Sequence, residues 1–336
     1  MRYDNLKLEK GMYGITGKSF SQVLEELDPS ENYRNTPLEG LDAFERQLKR
    51  FDIKVAGTKS DPVEKFFSTS TSAALFPEYV KRAVENGTRN QEILNQIIAS
   101  KTYIDSMDYR SITSGAAEDA KELKAVAEGA EIPVTEVKTK ENLVKLYKRG
   151  RMLVASYEAI RFQKLDLFTV TLNQIGAQIA KQQLRDAVNV LVKGDGNDNP
   201  AESVALTGET FAYADLINLW NRFEDYEMNT LLADANAMVK LLELEEFKNP
   251  NTGLNFQATG RLATPLGANL YKSSVVPANT LVALDKNCAL EMVTAGDVMV
   301  EYDKLIDRQL ERAAITSIAG FAKIFADASK VMTTSK

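Results

Sequence analysis

The residues that could carry out chemistry are few, and their types exclude most enzyme classes. The 336-residue chain contains no histidine and a single cysteine, Cys288. A Ser-His-Asp triad, a Cys-His pair and zinc sites built from histidine or several cysteines therefore cannot form within one chain. A disulfide within the chain is equally impossible, so burial and hydrogen bonds must hold the fold together. The apolar sequence around Cys288 favours a small buried side chain over a reactive thiol.

Two loops imitate ligand-binding motifs without meeting their requirements. In Gly11-x5-Gly17-Lys18-Ser19 five residues separate the glycines, whereas a phosphate-binding Walker A loop requires four. The run from Asp195 to Pro200 begins like a calcium-binding EF-hand loop. Proline stands where that loop requires glycine, and Leu206 stands at its closing carboxylate position. We therefore interpret this run as a solvent-exposed turn after a helix.

Carboxylate clusters are the remaining candidates for chemistry. Such clusters are more typical of solvated helix faces than of active sites, and nothing nearby supplies an oxyanion hole or an electrophile. The clusters are Glu224, Asp225 and Glu227, and Glu243, Glu245 and Glu246. We therefore identify no catalytic, cofactor-binding or metal-binding residue. A cytosolic enzyme that uses lysine or carboxylate chemistry stays open as a remote alternative.

Composition and charge describe a chain with a substantial core and no targeting segment. Its hydrophobic content of 44% is enough for one large domain or two modest ones. The balance of 41 basic and 47 acidic residues, a net charge of −6, argues against a surface that wraps nucleic acid. The start has no apolar export signal, and no run of about eighteen apolar residues predicts a membrane span. We therefore expect a cytoplasmic protein without membrane contact.

The N-terminal part of the chain consists of short amphipathic pieces between breakers. Residues 20–27 and 41–51 have apolar faces, but glycine and proline interrupt the segment repeatedly. Such a segment buries little apolar surface by itself, so we expect an arm that lies against neighbouring subunits. A helix follows from about Phe76, and Gly87 is expected to end it.

The segment 103–157 separates its charges into an acidic half and a basic half. Six carboxylates and two lysines lie between residues 118 and 136, whereas six basic residues and one glutamate lie between residues 138 and 151. In a hairpin these halves would attract each other or the opposite half of a neighbour. Two unrelated solvated loops are the alternative, because surface ion pairs stabilise little. The candidate contacts between subunits are Lys138, Lys140, Lys145, Lys148, Arg149, Arg151, Glu118, Asp119 and Glu122.

The clearest helix covers about residues 158–193 and has one apolar face. That face consists of Leu165, Phe168, Leu172, Ile175 and Ile179. At 1.5 Å per residue the helix is about 50 Å long, which is enough to span a domain. Gly194 stands where a glycine ends a helix. A dimeric coiled coil is the competing interpretation, but the heptad pattern stops after about two repeats.

The C-terminal half mixes helices and strands without a regular βαβ alternation. Amphipathic patterns predict helices over residues 211–222 and 235–247. The predicted strands are residues 229–232, 270–276, 280–284, 298–302 and 313–325. This arrangement indicates the α+β class.

Three stretches follow one another in a characteristic order. The first contains Val154–Glu158, Leu165–Leu167, Ile175–Ala180 and Leu191–Gly196; the second is Asn229–Leu232 with the helix to Phe247; the third is Gly267–Asp285, two strands joined by a Val-Pro turn. In this order they resemble the major capsid proteins of tailed bacteriophages, which share the Hong Kong 97-type fold. The first resembles the end of that family's extended E-loop and its spine helix, and the second resembles part of its axial domain.

The resemblance covers about residues 75–330 and implies a domain organisation. It implies an N-terminal arm (1–75), an N-terminal helical region (76–102), an E-loop that reaches over a neighbouring subunit (103–157), a spine helix of the peripheral domain (158–200), a mainly axial domain (201–295), peripheral-domain strands (296–325) and a C-terminal return segment (326–336). The apolar face of the spine helix is expected to pack onto the peripheral sheet.

The resemblance also implies a function and partners. The chain would assemble into pentamers and hexamers of an icosahedral head, made in the bacterial host cytoplasm, that encloses double-stranded DNA through weak non-specific contact. The expected partners are other copies of the chain, a separate scaffolding protein, a portal and, where the phage has one, a decoration protein. An encapsulin-like nanocompartment shell has the same fold and is the alternative.

Overall fold

The computed structural model describes residues 3–14, 18–89, 92–114, 125–126, 128, 137–252, 264–296 and 298–335. The chain forms two compact units. Unit 1 contains residues 1–91, 149–179 and 298–317, and unit 2 contains residues 92–148, 180–297 and 318–336. Each unit is built from three separate segments, so no single cut in the sequence divides one unit from the other.

Helices and strands alternate irregularly along the described chain, as the predicted α+β class requires. The helices are α1 (Phe20–Leu27), α2 (Ala43–Arg50), α3 (Ser70–Ala73), α4 (Phe76–Arg89), α5 (Glu92–Asn95), α6 (Tyr157–Phe162), α7 (Leu165–Lys193), α8 (Tyr213–Asn221), α9 (Ala235–Leu242) and α10 (Glu245–Lys248). The strands are β1 (Ser100–Ile104), β2 (Ile112–Ser114), β3 (Val137–Thr139), β4 (Tyr147–Ser156), β5 (Glu202–Val204), β6 (Thr230–Ala233), β7 (Asn269–Lys272), β8 (Thr280–Leu284), β9 (Leu290–Ala295), β10 (Met299–Leu305), β11 (Leu310–Lys323) and β12 (Ser329–Thr333). Among the described helices, none combines the length and the apolarity needed to cross a membrane.

The N-terminal segment of unit 1 differs most from its prediction. An arm without a core of its own was expected, but Phe20, Leu24, Phe44 and Phe66 are almost completely buried. They share one hydrophobic cluster with α4 and with the first half of α7. The prediction was wrong about burial because the apolar faces of α1 and α2 pack against segments that occur much later in the sequence. Local patterns do not contain that information.

Polar contacts hold the same N-terminal segment in place. Ser19 and Asp42 begin α1 and α2 with capping boxes, in which the side chain of each accepts a backbone N–H from the helix's first turn. The Arg46 guanidinium is fully buried, and its Nε donates to Asp28 Oδ2 at 2.8 Å. A buried guanidinium requires such a carboxylate partner, so Arg46 ties α2 to the end of α1.

Two glycines allow α4 and the first half of α7 to lie in direct backbone contact. α4 continues through Gly87, which was expected to end it. A Cβ atom at Gly87 would lie 2.1 Å from the Asn173 carbonyl oxygen, and a Cβ at Gly176 would lie 2.0 Å from the Val84 carbonyl oxygen. Both distances are far below van der Waals contact, so only glycine fits at either position.

The long helix predicted from residue 158 is interrupted near its start. α6 ends at Phe162, and Gln163 is extended with φ −74° and ψ 126°. Its carbonyl accepts the Val63 N–H at 2.9 Å. This contact with the N-terminal segment replaces a helical hydrogen bond, and α7 begins anew at Leu165. The helix predicted over residues 235–247 is likewise divided, because Leu244 is extended between α9 and α10.

Three strands complete unit 1. β10 pairs antiparallel with the first half of β11, from Met299 opposite Thr316 to Leu305 opposite Leu310. β4 pairs with β11 as well, so the end of the segment predicted as an extended loop is a sheet strand. The side chain of Leu153 packs against the core, whereas Met152 and Val154 are 52% and 51% exposed. This alternation follows from the two-residue period of a strand.

Unit 2 contains a five-stranded sheet with the order β5-β12-β8-β6-β7. Every residue of β6 and β8 is buried, because side chains cover both faces of the sheet. The second half of α7 contributes Leu184, Val188 and Leu191 to the cluster on one face. α8, α9 and α10 contribute to the cluster on the other face. β8 has the predicted bounds, whereas β7 ends at Lys272 and is shorter than predicted.

A second group of strands in unit 2 consists of β1, β9 and the last residues of β11. β1 pairs parallel with β9, from Ser100 opposite Glu291 to Ile104 opposite Ala295. β9 pairs antiparallel with β11. β1 was not predicted as a strand, because its short, mostly polar sequence has no distinctive pattern. From β1 the chain leaves the sheet as residues 105–146, which we call the hairpin segment.

Candidate assembly hairpin and its anchor

The hairpin segment contains a short antiparallel pair of strands. β2 and β3 pair from Ile112 opposite Thr139 to Ser114 opposite Val137. Ile112 and Val137 are 55% and 65% exposed. An isolated two-stranded pair of this length is marginal in water, and its exposed apolar side chains gain free energy only when another surface covers them. The hairpin segment is therefore suited to contact with another molecule.

The predicted contact residues of this region other than Lys140 fall into three groups. Lys145, Lys148 and Arg151 are exposed, and no carboxylate among the described residues pairs with them. Lys138 and Arg149 interact with other residues of the chain. The acidic candidates Glu118, Asp119 and Glu122 lie outside the described residues, as does most of the acidic half.

Lys140 differs from the other basic residues and corrects the hypothesis. Its Nζ lies 3.1 Å from Asp195 Oδ2, and the two side chains are only 7% and 3% exposed. The same ammonium donates to the main-chain carbonyl of Lys323. Because Lys140 is buried in an ion pair with its own chain, it is unavailable to a carboxylate of a neighbouring subunit.

Asp195 is the centre of the turn that follows α7. Its side chain accepts hydrogen bonds from the Asn197 amide at 2.9 Å and the Lys323 N–H at 3.0 Å. Burial opposes the charge of this carboxylate, but these hydrogen bonds and the Lys140 ammonium hold its pKa below the usual range. The sequence predicted a solvent-exposed turn here, and that prediction was wrong for the Asp195 side chain.

Glu291 in β9 forms a second buried polar cluster. Its carboxylate accepts hydrogen bonds from the hydroxyls of Thr102 at 2.6 Å, Tyr109 at 2.7 Å and Ser111 at 2.5 Å. Burial and the bond to Glu291 raise the pKa of the Tyr109 hydroxyl. Sequence reasoning missed this residue. The signal that could have revealed it is a single charged residue inside the apolar run of β9.

Backbone hydrogen bonds join the two arms of the hairpin segment near these clusters. The Lys140 N–H donates to the Ser111 carbonyl, and the Val144 N–H donates to the Tyr109 carbonyl, both at 2.8 Å. Asn142 contacts the turn after α7 through its N–H, which lies 3.0 Å from Asn197 Oδ1. The outgoing and returning arms are therefore fastened to each other and to unit 2.

Lys323 closes the end of α7 beneath this region. Its side chain is fully buried, and Nζ donates to the Asn199 carbonyl at 3.1 Å and the Leu191 carbonyl at 3.5 Å. Burial lowers the pKa of this ammonium to about 8. The lysine thus satisfies a carbonyl at the C-terminal end of the helix, where cations are favourable.

The predicted apolar face of the long helix lies in the core of unit 1. Leu165, Leu172, Ile175 and Ile179 are buried, and Phe168 is partly buried with its ring centroid 6.2 Å from that of Phe76. Their hydrophobic cluster includes a few side chains of β4, β10 and β11 and a larger number from the N-terminal segment and α4. The N-terminal segment therefore supplies much of the surface against which this face packs.

The motifs that resembled ligand sites have structural roles in the described chain. Ser19 caps α1, and Lys18 Nζ lies 2.7 Å from Glu26. Burial and the Asp285 carboxylate raise the pKa of the Cys288 thiol, which disfavours a thiolate. Within the described ranges, no three carboxylate or cysteine side chains come close enough to hold a metal ion.

Comparison with protein families identifies the class of this fold. Residues 139–324 match the family described as phage capsid protein. This match covers more than half of the chain and includes most of the returning arm of the hairpin segment, α7 and all of β11. The chain therefore belongs to the phage capsid protein family, as a structural, non-enzymatic shell protein of the virion. No curated protein matches it in sequence.

Solved structures share the Hong Kong 97-like fold at low sequence identity. The capsid of the cyanophage P-SCSP1u is 13% identical, with a TM-score of 0.54 over 71% of this chain and 87% of that chain. The virus-like particle from Pyrococcus furiosus is 12% identical, with a TM-score of 0.52 over 76% of this chain and 99% of that one. The SrpI encapsulin complex from Synechococcus elongatus PCC 7942 is 14% identical, with a TM-score of 0.50 over 73% and 88%.

Proposed function

We propose that the chain is a major capsid protein that assembles into pentamers and hexamers of an icosahedral phage head around double-stranded DNA. The family match over residues 139–324 is the observation that carries this proposal. The proposed divisions are an N-terminal arm (1–75), an N-terminal helical region (76–102), an E-loop (103–157), a spine helix (158–200), a mainly axial domain (201–295), peripheral strands (296–325) and a return segment (326–336).

The hairpin segment is the proposed contact with a neighbouring subunit. Its exposed apolar residues, Ile112 and Val137, require cover, and the exposed basic residues Lys145, Lys148 and Arg151 follow on the returning arm and on β4. In a shell of identical chains, the acidic half of a neighbour's hairpin segment supplies complementary charge. Many weak pairs, repeated over a closed shell, add up to a stable assembly.

Electron microscopy of the purified chain tests the proposed assembly. We expect closed shells or tubes with fivefold and sixfold capsomers. A preparation that contains only dispersed small oligomers over a range of concentration and salt would refute the proposal.

Charge reversal tests the contribution of the exposed basic residues on the returning arm and on β4. We expect the triple variant Lys145→Glu, Lys148→Glu and Arg151→Glu to reduce shell yield more than the thermal stability of the unassembled chain. The matched control reverses three exposed lysines elsewhere: Lys54, Lys59 and Lys248. Equal shell yield and equal salt sensitivity of the two triple variants would contradict this assignment, because screening should weaken genuine charge contacts.

The second candidate is an encapsulin-like compartment shell. The fold similarity to the SrpI encapsulin favours it to the same extent as the similarity to phage capsids favours a head.

The net charge of −6 suits a shell that encloses DNA without binding its phosphates tightly. We expect native particles to contain nuclease-protected double-stranded DNA, a portal and, before maturation, a separate scaffolding protein; some would also carry a decoration protein. Particles filled with one enzyme and free of DNA would support the compartment instead.

A further inference from the structure

We propose that Lys140, Asp195 and Glu291, which we call the clamp, are positioning residues that fix the direction in which the hairpin segment leaves the sheet of β1 and β9. This inference rests on the proposed function, because a fixed direction matters only if the hairpin segment meets a neighbouring subunit. Asp195 and Glu291 were absent from the charge-pairing hypothesis, and Lys140 here positions its own hairpin segment instead of pairing with a neighbouring subunit.

Glu291 holds the outgoing arm. Two of its three hydroxyl donors, Tyr109 and Ser111, belong to this arm, and the third, Thr102, lies in β1. No cation among the described residues is within ion-pair distance of the carboxylate. A buried carboxylate without a cation depends on its hydrogen-bond donors. The dependence is mutual: if the arm moved away, the carboxylate would lose two of its three donors, and the hydroxyls of Tyr109 and Ser111 would lose their acceptor.

Asp195 holds the returning arm through Lys140 and the turn after α7. The Lys140–Asp195 ion pair is buried, and Asn142 adds two further hydrogen bonds to this turn, one of them from Nδ2 to the Gly196 carbonyl at 2.7 Å. Removing one partner of a buried ion pair leaves the other charge uncompensated, which is far more costly than losing a surface pair. The returning arm is therefore fixed at the end of the helix α7.

The clamp directly adjoins the exposed pair of strands. β2 begins just beyond Ser111 and β3 ends just before Lys140, so the clamp is the last buried contact of both arms before this exposed pair. A rotation at the clamp therefore changes the direction in which the side chains of Ile112 and Val137 are presented. Shell closure requires every copy to present that surface in a narrow range of orientations.

Hydrogen exchange on the unassembled chain tests the clamp directly. We expect Lys140→Met and Asp195→Asn each to accelerate exchange of amides in residues 105–111 and 137–146 by about tenfold or more. We expect the double variant to be no faster than either single variant, because both remove the same ion pair. Lys140→Arg, which keeps the charge, should restore much of the protection. Unchanged exchange in Lys140→Met would overturn the proposal.

Shell yield, with a matched control, separates positioning from general stability. Lys330 is another buried lysine of unit 2, with a side chain that is 7% exposed and an Nζ that lies 2.7 Å from Glu202. We expect Lys330→Met to lower thermal stability without loosening the hairpin segment or reducing regular shells, whereas Lys140→Met reduces regular shells sharply. The proposal would be overturned if Lys330→Met and Lys140→Met lost the same amount of thermal stability and also lost the same fraction of regular shells. If the wild-type chain forms no shells, the proposed function fails, and exchange alone decides whether the clamp holds the segment.

Discussion

The contact between α4 and α7 provides a sharp test of how unit 1 is packed. In Gly176→Ala, the new Cβ would lie 2.0 Å from the Val84 carbonyl oxygen and 2.9 Å from the Thr88 nitrogen. Both obstacles are backbone atoms of a helix, so no side chain can rotate away to make room. Replacing a helical glycine with alanine should stabilise by about 1 kcal/mol through helix propensity. Forcing the helices apart should cost about 1–3 kcal/mol or more.

Because the obstacles are backbone atoms, we expect a packing cost at the upper end of that range and a net loss of about 2 kcal/mol. The separation of the helices would also strain the hydrogen bond from Thr88 Oγ1 to the Gly176 carbonyl, at 3.3 Å. The matched control is Ala177→Gly at the neighbouring half-buried position, which should lose about 1 kcal/mol through propensity alone.

The assay must report on unit 1. The only tryptophan, Trp220, belongs to unit 2, so its fluorescence would follow the wrong unit. Hydrogen exchange of peptides from α4 and the first half of α7 reports the local free energy of opening. We expect faster exchange in both peptides of Gly176→Ala. If exchange in Gly176→Ala were equal to or slower than that of the wild-type chain, the expected clash would be wrong, because helix propensity would then outweigh the backbone contact between α4 and α7.

Two further outcomes follow from the buried side chains. Leu172→Ala removes a fully buried side chain from the core of unit 1 and should lower the free energy of unfolding by about 2–5 kcal/mol in denaturant titration; a loss below about 1 kcal/mol would show a loosely packed core. The Lys323 ammonium, with its pKa lowered to about 8, binds fewer protons in the folded chain than in the unfolded chain between pH 8 and its ordinary pKa near 10.5. Its contribution to stability therefore rises with pH through that window. We expect the wild-type chain to gain stability relative to Lys323→Met as the pH rises from 8 to 10. A stability difference that stays constant from pH 7 to 10 would contradict the lowered pKa.

The local elements could be predicted wherever a short pattern determined them. The capping residues Ser19 and Asp42 and the apolar faces behind them place α1 and α2, and the apolar run of β8 places that strand with its observed bounds. Predictions failed where a distant contact overrode the pattern. Gln163 leaves the helix to accept a hydrogen bond from Val63, and Gly87 continues a helix because α7 lies against it.

The candidate site was predictable as a region but not as a set of contacts. Charge segregation indicated residues 103–157, yet it could not distinguish Lys140 from Lys145, because both are lysines in the same basic run. The difference is the position of Asp195, which lies 55 residues away in sequence and 3.1 Å away in space. Glu291 is likewise separated from Ser111 by 180 residues.

Composition and segment order establish which catalytic chemistries this chain lacks and which class of fold it forms. Without histidine and with one cysteine it has few routes to catalysis, and the order of its α+β segments already resembled phage capsid proteins. Which charges are buried and which surfaces remain exposed could be read only from the folded chain. Burial depends on contacts between segments far apart in the chain, whereas composition and periodicity describe only near neighbours. The N-terminal segment is therefore part of a core, and Lys140 is buried in an ion pair with its own chain.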